Sequence, residues 1–197
     1  LTTSSAASDV YKRQDYNSIQ IVEVAERLQD AGAKAISIHG RTRAQMYKGD
    51  ADWAQIAEVK NNSRMHIPVF GNGDVNSPER AIEMRDKYGL DGAMIGRASI
   101  GNPWFFREVK HFVKHGTHAA PPSLAERAAT ARRHLQMSLD WKGEKLGVFE
   151  TRRHYTNYFK GIPNFKAYRQ RLVTEDHSAD VFVVLDEIEE LFGVTAL

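Results

Sequence analysis

Cysteine is absent from the 197 residues. That removes disulfides, thiolate metal sites and cysteine nucleophiles together, and agrees with a reducing compartment, so a cytoplasmic location is expected and no metal site is read. Long apolar runs are missing as well: none approaches the roughly 20 residues of a membrane span, and no membrane partner is expected. Residues 1–14, LTTSSAASDVYKRQ, show neither an apolar period nor the continuous apolar stretch of a signal peptide, and are set aside as a non-native or disordered leader. Basic residues are absent from residues 174–197, which hold seven acids. Residues 123–173 carry eleven Lys/Arg against four Asp/Glu, although the net charge of the chain is only +2. A basic segment backed by an acidic one suggests a face for a polyanion, and equally fits two solvated helix faces of opposite sign.

From Asn17 the pattern is regular. Ile21, Val24, Ala25 and Leu28 share one helical face, and Gly32 stands where a helix C-terminal glycine belongs. The run Ala35-Ile36-Ser37-Ile38 follows as a strand and ends in His39-Gly40-Arg41-Thr42-Arg43. Asp52 then caps a helix with the core face Trp53, Ile56, Ala57 and Val59. The strand Ile67-Pro68-Val69-Phe70 leaves through Gly71-Asn72-Gly73-Asp74. Ser77-Pro78-Glu79 opens another helix, with Ser as cap and Pro in the first turn. It leads to the strand Gly92-Ala93-Met94-Ile95, closed by Gly96-Arg97, and Asn102-Pro103 opens a helix offering Trp104, Phe105, Val109 and Phe112 for burial.

Alternating helices and strands at this spacing predict right-handed βα units and a parallel sheet of three strands, with ligand chemistry on its C-terminal edge. Residues 116–122 form a linker. Beyond it only helical patterns recur, starting with the capping box Ser123-Leu124-Ala125-Glu126, running to about Lys142, and resuming over 148–160, 164–173 and 178–192. The expected organisation is therefore a leader (1–14), an α/β region (15–115), the linker and a helical domain (123–197).

Three strand-end loops carry the chemistry. Asn72-Gly73-Asp74 and Gly96-Arg97 each pair glycine, which lets backbone approach a ligand, with a side chain able to bind or neutralise phosphate. They fit plain strand terminators too. His39 at the first strand end adds a possible donor to a phosphate or a ring edge. In the helical region, Arg152, Arg153, His154 and Lys160 lie among aromatics, the composition of a surface that neutralises phosphates and stacks bases. Tyr155, Phe159, Phe165 and Leu172 fit a core equally well.

The run SIHGRTRAQMYKGDADWAQIAEVK, then IPVFGNGDV, then DGAMIGRASIGNPWFF resembles the latter part of the bacterial tRNA-dihydrouridine synthases, over essentially residues 15–192. The resemblance implies the last three strands of a (β/α)₈ barrel with their helices, followed by an all-helical tRNA-binding domain. It implies FMN as cofactor and NADPH as reductant in the reduction of a tRNA uridine to 5,6-dihydrouridine. His39, Asn72, Gly73, Asp74, Gly96 and Arg97 would belong to the FMN site, the last two at the phosphate. Arg41 and Arg43 would face the arriving RNA, with Arg152, Arg153, His154 and Lys160 as further contacts.

In that family the catalytic acid is a cysteine on an earlier loop and a lysine on an earlier strand touches the flavin; neither has a counterpart here, so no catalytic residue is assigned. The N-terminal half of the barrel is missing, and the chain is expected to be a truncated piece that self-associates through its exposed sheet edge. Two other readings stand beside this one: another FMN-dependent barrel reductase, such as a relative of dihydroorotate dehydrogenase, and an RNA-binding module with a barrel remnant as scaffold. The basic helical region weighs against the former.

Overall fold

A computed structural model describes residues 20–193; the leader expected over residues 1–14 and the start of regular pattern at Asn17 lie outside them. The described residues fall into two compact units, one made of residues up to Ala98 together with Glu108–Thr117, the other of Ser99–Arg107 and the residues from His118 on. The element order is α1 (Ile21–Asp30), β1 (Ile36–His39), α2 (Ala54–Lys60), β2 (Val69–Asn72), α3 (Pro78–Lys87), β3 (Gly92–Met94), α4 (Phe105–His115), α5 (Leu124–Tyr158), α6 (Lys166–Thr174) and α7 (Ser178–Gly193).

The first unit is the α/β structure expected from the alternating pattern, with its strands in the order β1-β2-β3, all parallel. The apolar stripe of α1 buries Ile21, Val24 and Ala25. Gly32, at φ +97, ends that helix, donating to the Gln29 carbonyl (2.8 Å) while Ala33 donates to Leu28 (3.0 Å), the paired bonds of a left-handed C-terminal cap. Asp52 accepts from the Ala54 amide at 3.0 Å and so does begin α2, with Trp53 at the cap position. Ser77 caps α3 through the Arg80 amide.

Alternation along the strands sends Ile36, Ile38 and Val69 into a core with Trp53, Ile56 and Met84. The opposite face carries two register rows, Ser37-Phe70-Gly92 and His39-Asn72-Met94. Within these rows Ser37 and Met94 are exposed and the other four are partly exposed. Parallel sheets are ordinarily covered on both faces, so this open face is the main departure of the unit from a closed α/β layer.

β2 starts two residues later than the apolar run suggests and continues through Gly71 and Asn72. Pro68 has no amide to give to a ladder, whereas Gly71 is required inside the strand: a Cβ there would lie 2.1 Å from the Trp53 ring. The indole is buried against that bare backbone and donates Nε1–H to the Gly73 carbonyl at 3.0 Å.

In the second unit α5 is broken at Gly143 (φ 75, ψ 177) into two helical halves. The sequence pattern ends one helix near Lys142 and restarts at 148; the structure makes the change of direction within a single left-handed residue. Gly147 then lets the second half approach the Leu139 backbone, which a Cβ would meet at 3.0 Å. The core holds Leu135, Tyr155, Phe159, Leu172, Leu185 and Ile188, so the aromatic and leucine positions that fit either core or contact surface are core. The capping box forms by half. Ser123 accepts from the Glu126 amide, but the Glu126 carboxylate accepts from Trp104 Nε1 (3.1 Å) and Arg107 (2.8 Å) instead of turning back to the cap. Of the apolar residues offered by α4, Phe105 is buried and Val109 and Phe112 are partly exposed.

Substituting Gly71→Ala forces the Trp53 indole out of its seat and is expected to cost about 1–3 kcal/mol, measured as a lower denaturant midpoint at unchanged slope; an unaltered midpoint would show that the ring is not held against this backbone.

Candidate functional site

A cleft of about 610 Å³ opens at the C-terminal edge of the sheet. His39, Asn72, Gly73, Asp74, Gly96 and Arg97, the six residues singled out on the strand-end loops, all line it. Tyr47, Asn76 and Met94 line it as well; Tyr47 and Met94 fall inside the runs that carry the resemblance and Asn76 directly follows one, but none was singled out.

Asp74 organises the cleft. Its backbone is left-handed (φ 55), a conformation that Asp tolerates better than most residues. Carboxylate Oδ2 accepts from Arg41 Nη2 at 2.6 Å and from the Ala51 amide at 2.8 Å, while Oδ1 accepts from Arg97 Nη2 at 3.0 Å. Burial alone would raise its pKa, but the Ala51 amide, Arg41 and Arg97 together hold the carboxyl below the usual range. One acid thus ties together the loops after all three strands.

Arg97 is 55% exposed along its side chain. It uses one terminal nitrogen on Asp74 and lies over the Tyr47 ring, 4.8 Å from the centroid. Asn72 donates its amide to the Met94 carbonyl at 2.8 Å and accepts from Gly40 N–H through its backbone, locking adjacent strand ends. Gly96 leaves open space, since an added Cβ would meet nothing within 4 Å. His39 Nδ1 is buried without a hydrogen-bond partner among the described residues.

Arg41 corrects the expectation that it faces arriving RNA. Its side chain is 3% exposed, and it donates to the Gly49 carbonyl (2.5 Å) as well as to Asp74. A guanidinium buried in an ion pair is structural: it anchors the loop and is unavailable to a polyanion. Arg43, two residues on, is exposed.

The basic helical residues divide in the same way. Arg152 donates to the Glu175 carbonyl (2.8 Å) and to Asp176 (2.7 Å), pinning the connection between α6 and α7, so its charge is consumed internally. Arg132 pairs with Asp186 and Glu189, and Arg171 with Glu187; the acidic terminal helix neutralises part of the basic segment directly. His154 carries no charge at neutral pH. Burial, with His134 and Arg153 adding to it, pushes it down to about 4. Donors face both its ring nitrogens, Gly101 N–H at 3.1 Å and Arg153 Nε–H at 3.2 Å; the neutral ring accepts from one of them, and a protonated ring could accept from neither. Arg153 and Lys160 remain exposed and have no ion pair among the described residues. No cluster of metal-ligating side chains occurs among the described residues, and none of their helices is long and apolar enough to cross a membrane.

A parallel sheet packed by helices on one face, with a cleft at the strand C-termini and an acid-bridged pair of arginines there, defines an α/β protein with its cleft where α/β folds ordinarily place theirs. The family model described as dihydrouridine synthase matches residues 12–192, and the chain belongs to that family. It is 45% identical over 158 residues to probable tRNA-dihydrouridine synthase 1 of Synechocystis sp., covering 80% of this chain and 44% of that protein. To tRNA-dihydrouridine synthase B of Pseudomonas putida it is 37% identical over 161 residues, covering 82% and 46%. To a probable tRNA-dihydrouridine synthase of Rickettsia bellii it is 34% identical over 179 residues, covering 91% and 52%. The chain spans about half the length of the curated relatives it matches.

Because the native carboxyl of Asp74 titrates below its unfolded value, the network contributes stability in full above about pH 4 and loses it as pH falls through the lower native pKa. Asp74→Asn, which leaves Arg41 buried without its counter-charge, is expected to cost about 1.5–3 kcal/mol at neutral pH. The gap to wild type should narrow on acidification below about pH 4; denaturant titrations of both proteins across pH 2.5–7 (about that range suffices) check it, and a gap independent of pH would remove the ion pair as its cause.

Proposed function

We propose that this chain carries the last three strands of an FMN-dependent (β/α)₈ barrel and the helical tRNA-binding domain of a tRNA-dihydrouridine synthase, an oxidoreductase that reduces a tRNA uridine to 5,6-dihydrouridine at the expense of NADPH. The observation that supports it most is the convergence of six strand-end residues, from three loops, on one cleft in a member of this family. The open sheet face supports the barrel: Ser37, Phe70 and Gly92 form one register row and His39, Asn72 and Met94 the next, on the face that a barrel turns inward.

FMN suits the residues present. Arg97 offers a half-exposed guanidinium for the phosphate, Gly96 leaves space at that point, and the unpartnered Nδ1 of His39 gives the cleft a hydrogen-bonding group awaiting a ligand. When bound, FMN supplies the hydride chemistry that links NADPH to the uracil ring. In this reading Asp74 keeps Arg97 in place, and Asn72 and Gly73 shape the backbone beneath the cofactor. The 197 residues contain no cysteine, so the proton donor that the family places on an earlier loop is not among them. The activity of the chain alone is accordingly expected to be incomplete, with its site of action in the cytoplasm where tRNA is processed.

The alternative, an RNA-binding module with the α/β unit as scaffold, draws on the unpaired exposed cations Arg153 and Lys160. Flavin titration separates the two. The chain should quench FMN fluorescence saturably, and Arg97→Ala should weaken that binding about 10- to 100-fold; FMN fluorescence unchanged at every protein concentration would discard the flavin reading and leave the module. Among the described residues the outer edge of β1 is unpaired and one sheet face is open, which should make the isolated chain self-associate, seen as concentration-dependent elution on size exclusion. A monodisperse monomer with tightly bound flavin would contradict the partial barrel.

A further inference from the structure

The two halves of α5 enclose a groove of about 370 Å³ whose lining shares no residue with the cleft at the strand ends. Its lining includes Met137, Trp141, Lys142, Arg153, His134 and His154. Trp141 is 81% exposed and Met137 is exposed beside the same groove, whereas Trp53 is buried in the α/β unit and Trp104 packs against the helical core. An indole left almost wholly in water on a well-packed helical hairpin gains nothing for the fold.

Charge selects the occupant. Lys142 lies over the Trp141 ring, 4.5 Å from its centroid, and also pairs with Glu150, the one carboxylate lining the groove. Arg153 adds a second positive charge, exposed and hydrogen-bonded through Nε to His154, and shares Glu150 with Lys142 at longer range. The groove is therefore net positive over a largely apolar lining, and an occupant that fits it brings a flat apolar surface together with a negative charge. A flat π-surface at the rim, a thioether beside it and an exposed guanidinium within reach are what an unstacked base and its phosphate require. The volume also falls in the range of roughly 300–1,000 Å³ found for sites that hold small organic groups.

The geometry points to this groove as the seat of an unstacked nucleobase in a single-stranded segment of RNA, the base stacking on Trp141 against Met137 and Arg153 neutralising an adjoining phosphate. The inference rests on the proposed tRNA-modifying role and assigns to it a contact independent of the cofactor cleft. His134 and His154, whose rings meet edge to face at 4.5 Å, form the polar floor. Tyr158 O–H contacts His134 Nδ1 at 3.0 Å and fixes that ring.

The test is binding of unmodified tRNA, and separately of a single-stranded oligouridylate, to the full chain and to Trp141→Ala and Trp141→Phe, at one fixed salt concentration, without FMN. Stacking on the indole predicts affinity lower by about tenfold or more in Trp141→Ala, most of it recovered in Trp141→Phe, with unchanged thermal midpoints because the ring is exposed. It also predicts that oligouridylate protects wild-type tryptophan emission from iodide and fails to protect Trp141→Ala. Equal RNA affinity in all three proteins, the result expected if the groove serves a protein partner, overturns the assignment and leaves the tRNA-modifying role standing. A wild-type chain that binds neither RNA overturns both.

Discussion

Everything at the strand ends depends on one carboxylate. Asp74 accepts from Arg41, the Ala51 amide and Arg97, so the loops that follow β1, β2 and β3 share a single anchor. The arrangement explains why a left-handed non-glycine residue is tolerated beside Gly73 at φ +131: the conformation aims the carboxylate back under the cleft, and three donors offset its cost. It also separates the two arginines by role. Arg41 is buried and spends its charge on the anchor, while Arg97, bound to the other carboxylate oxygen, remains half exposed for a ligand. The cleft then presents a net positive charge while the ion pair beneath it stays neutral.

The helical unit uses electrostatics differently. Its sequence separates positive charge before residue 174 from negative charge after it, and the fold brings the two back together across α5, α6 and α7 through Arg132, Arg171 and Arg152. Ion pairs at this degree of exposure contribute little stability individually. Their larger consequence is to reduce the field available to a polyanion to those cations that the acidic helix does not reach. A surface of that kind binds through a few chosen contacts rather than through bulk charge.

Much of this was legible in the sequence. Regular apolar spacing, Gly32, Ser77-Pro78 and the glycine-bearing loops mark helix ends and strand ends by mechanisms that act within a few residues, and the six cleft residues follow once the strands are parallel and their C-termini share an edge. What was not legible is the fate of charged side chains in irregular backbone. Arg41 and Arg43 are two residues apart with nothing local to distinguish them, yet the first is buried because Asp74, thirty-three positions away, points at it. Arg152 and Arg153 diverge for the same reason, one turned toward Asp176 and the other toward water. The Ser123 capping box likewise failed by half because Glu126 found better donors in Trp104 and Arg107. Local rules specify what a residue can do, and distant partners decide which option is taken.

The open face of the sheet connects these points to function. His39, Asn72 and Met94 stand side by side in one register row and also border the cleft, so the same row faces both the uncovered side of the sheet and the candidate cofactor position. Whatever covers that face sets how much water reaches the cleft, and low-dielectric surroundings are what give fixed donors their strength toward a bound anion or ring. The Asp74–Arg97 end of the cleft, the phosphate end in the proposed reading, is held together by bonds internal to the chain and can persist without that cover. His39, with its buried and unpartnered Nδ1, depends on it. In the proposed reading, binding and reactivity are therefore separable: the grip on a phosphate would lie in contacts already made, and the environment of the reacting ring would be completed when the second face of the sheet is closed.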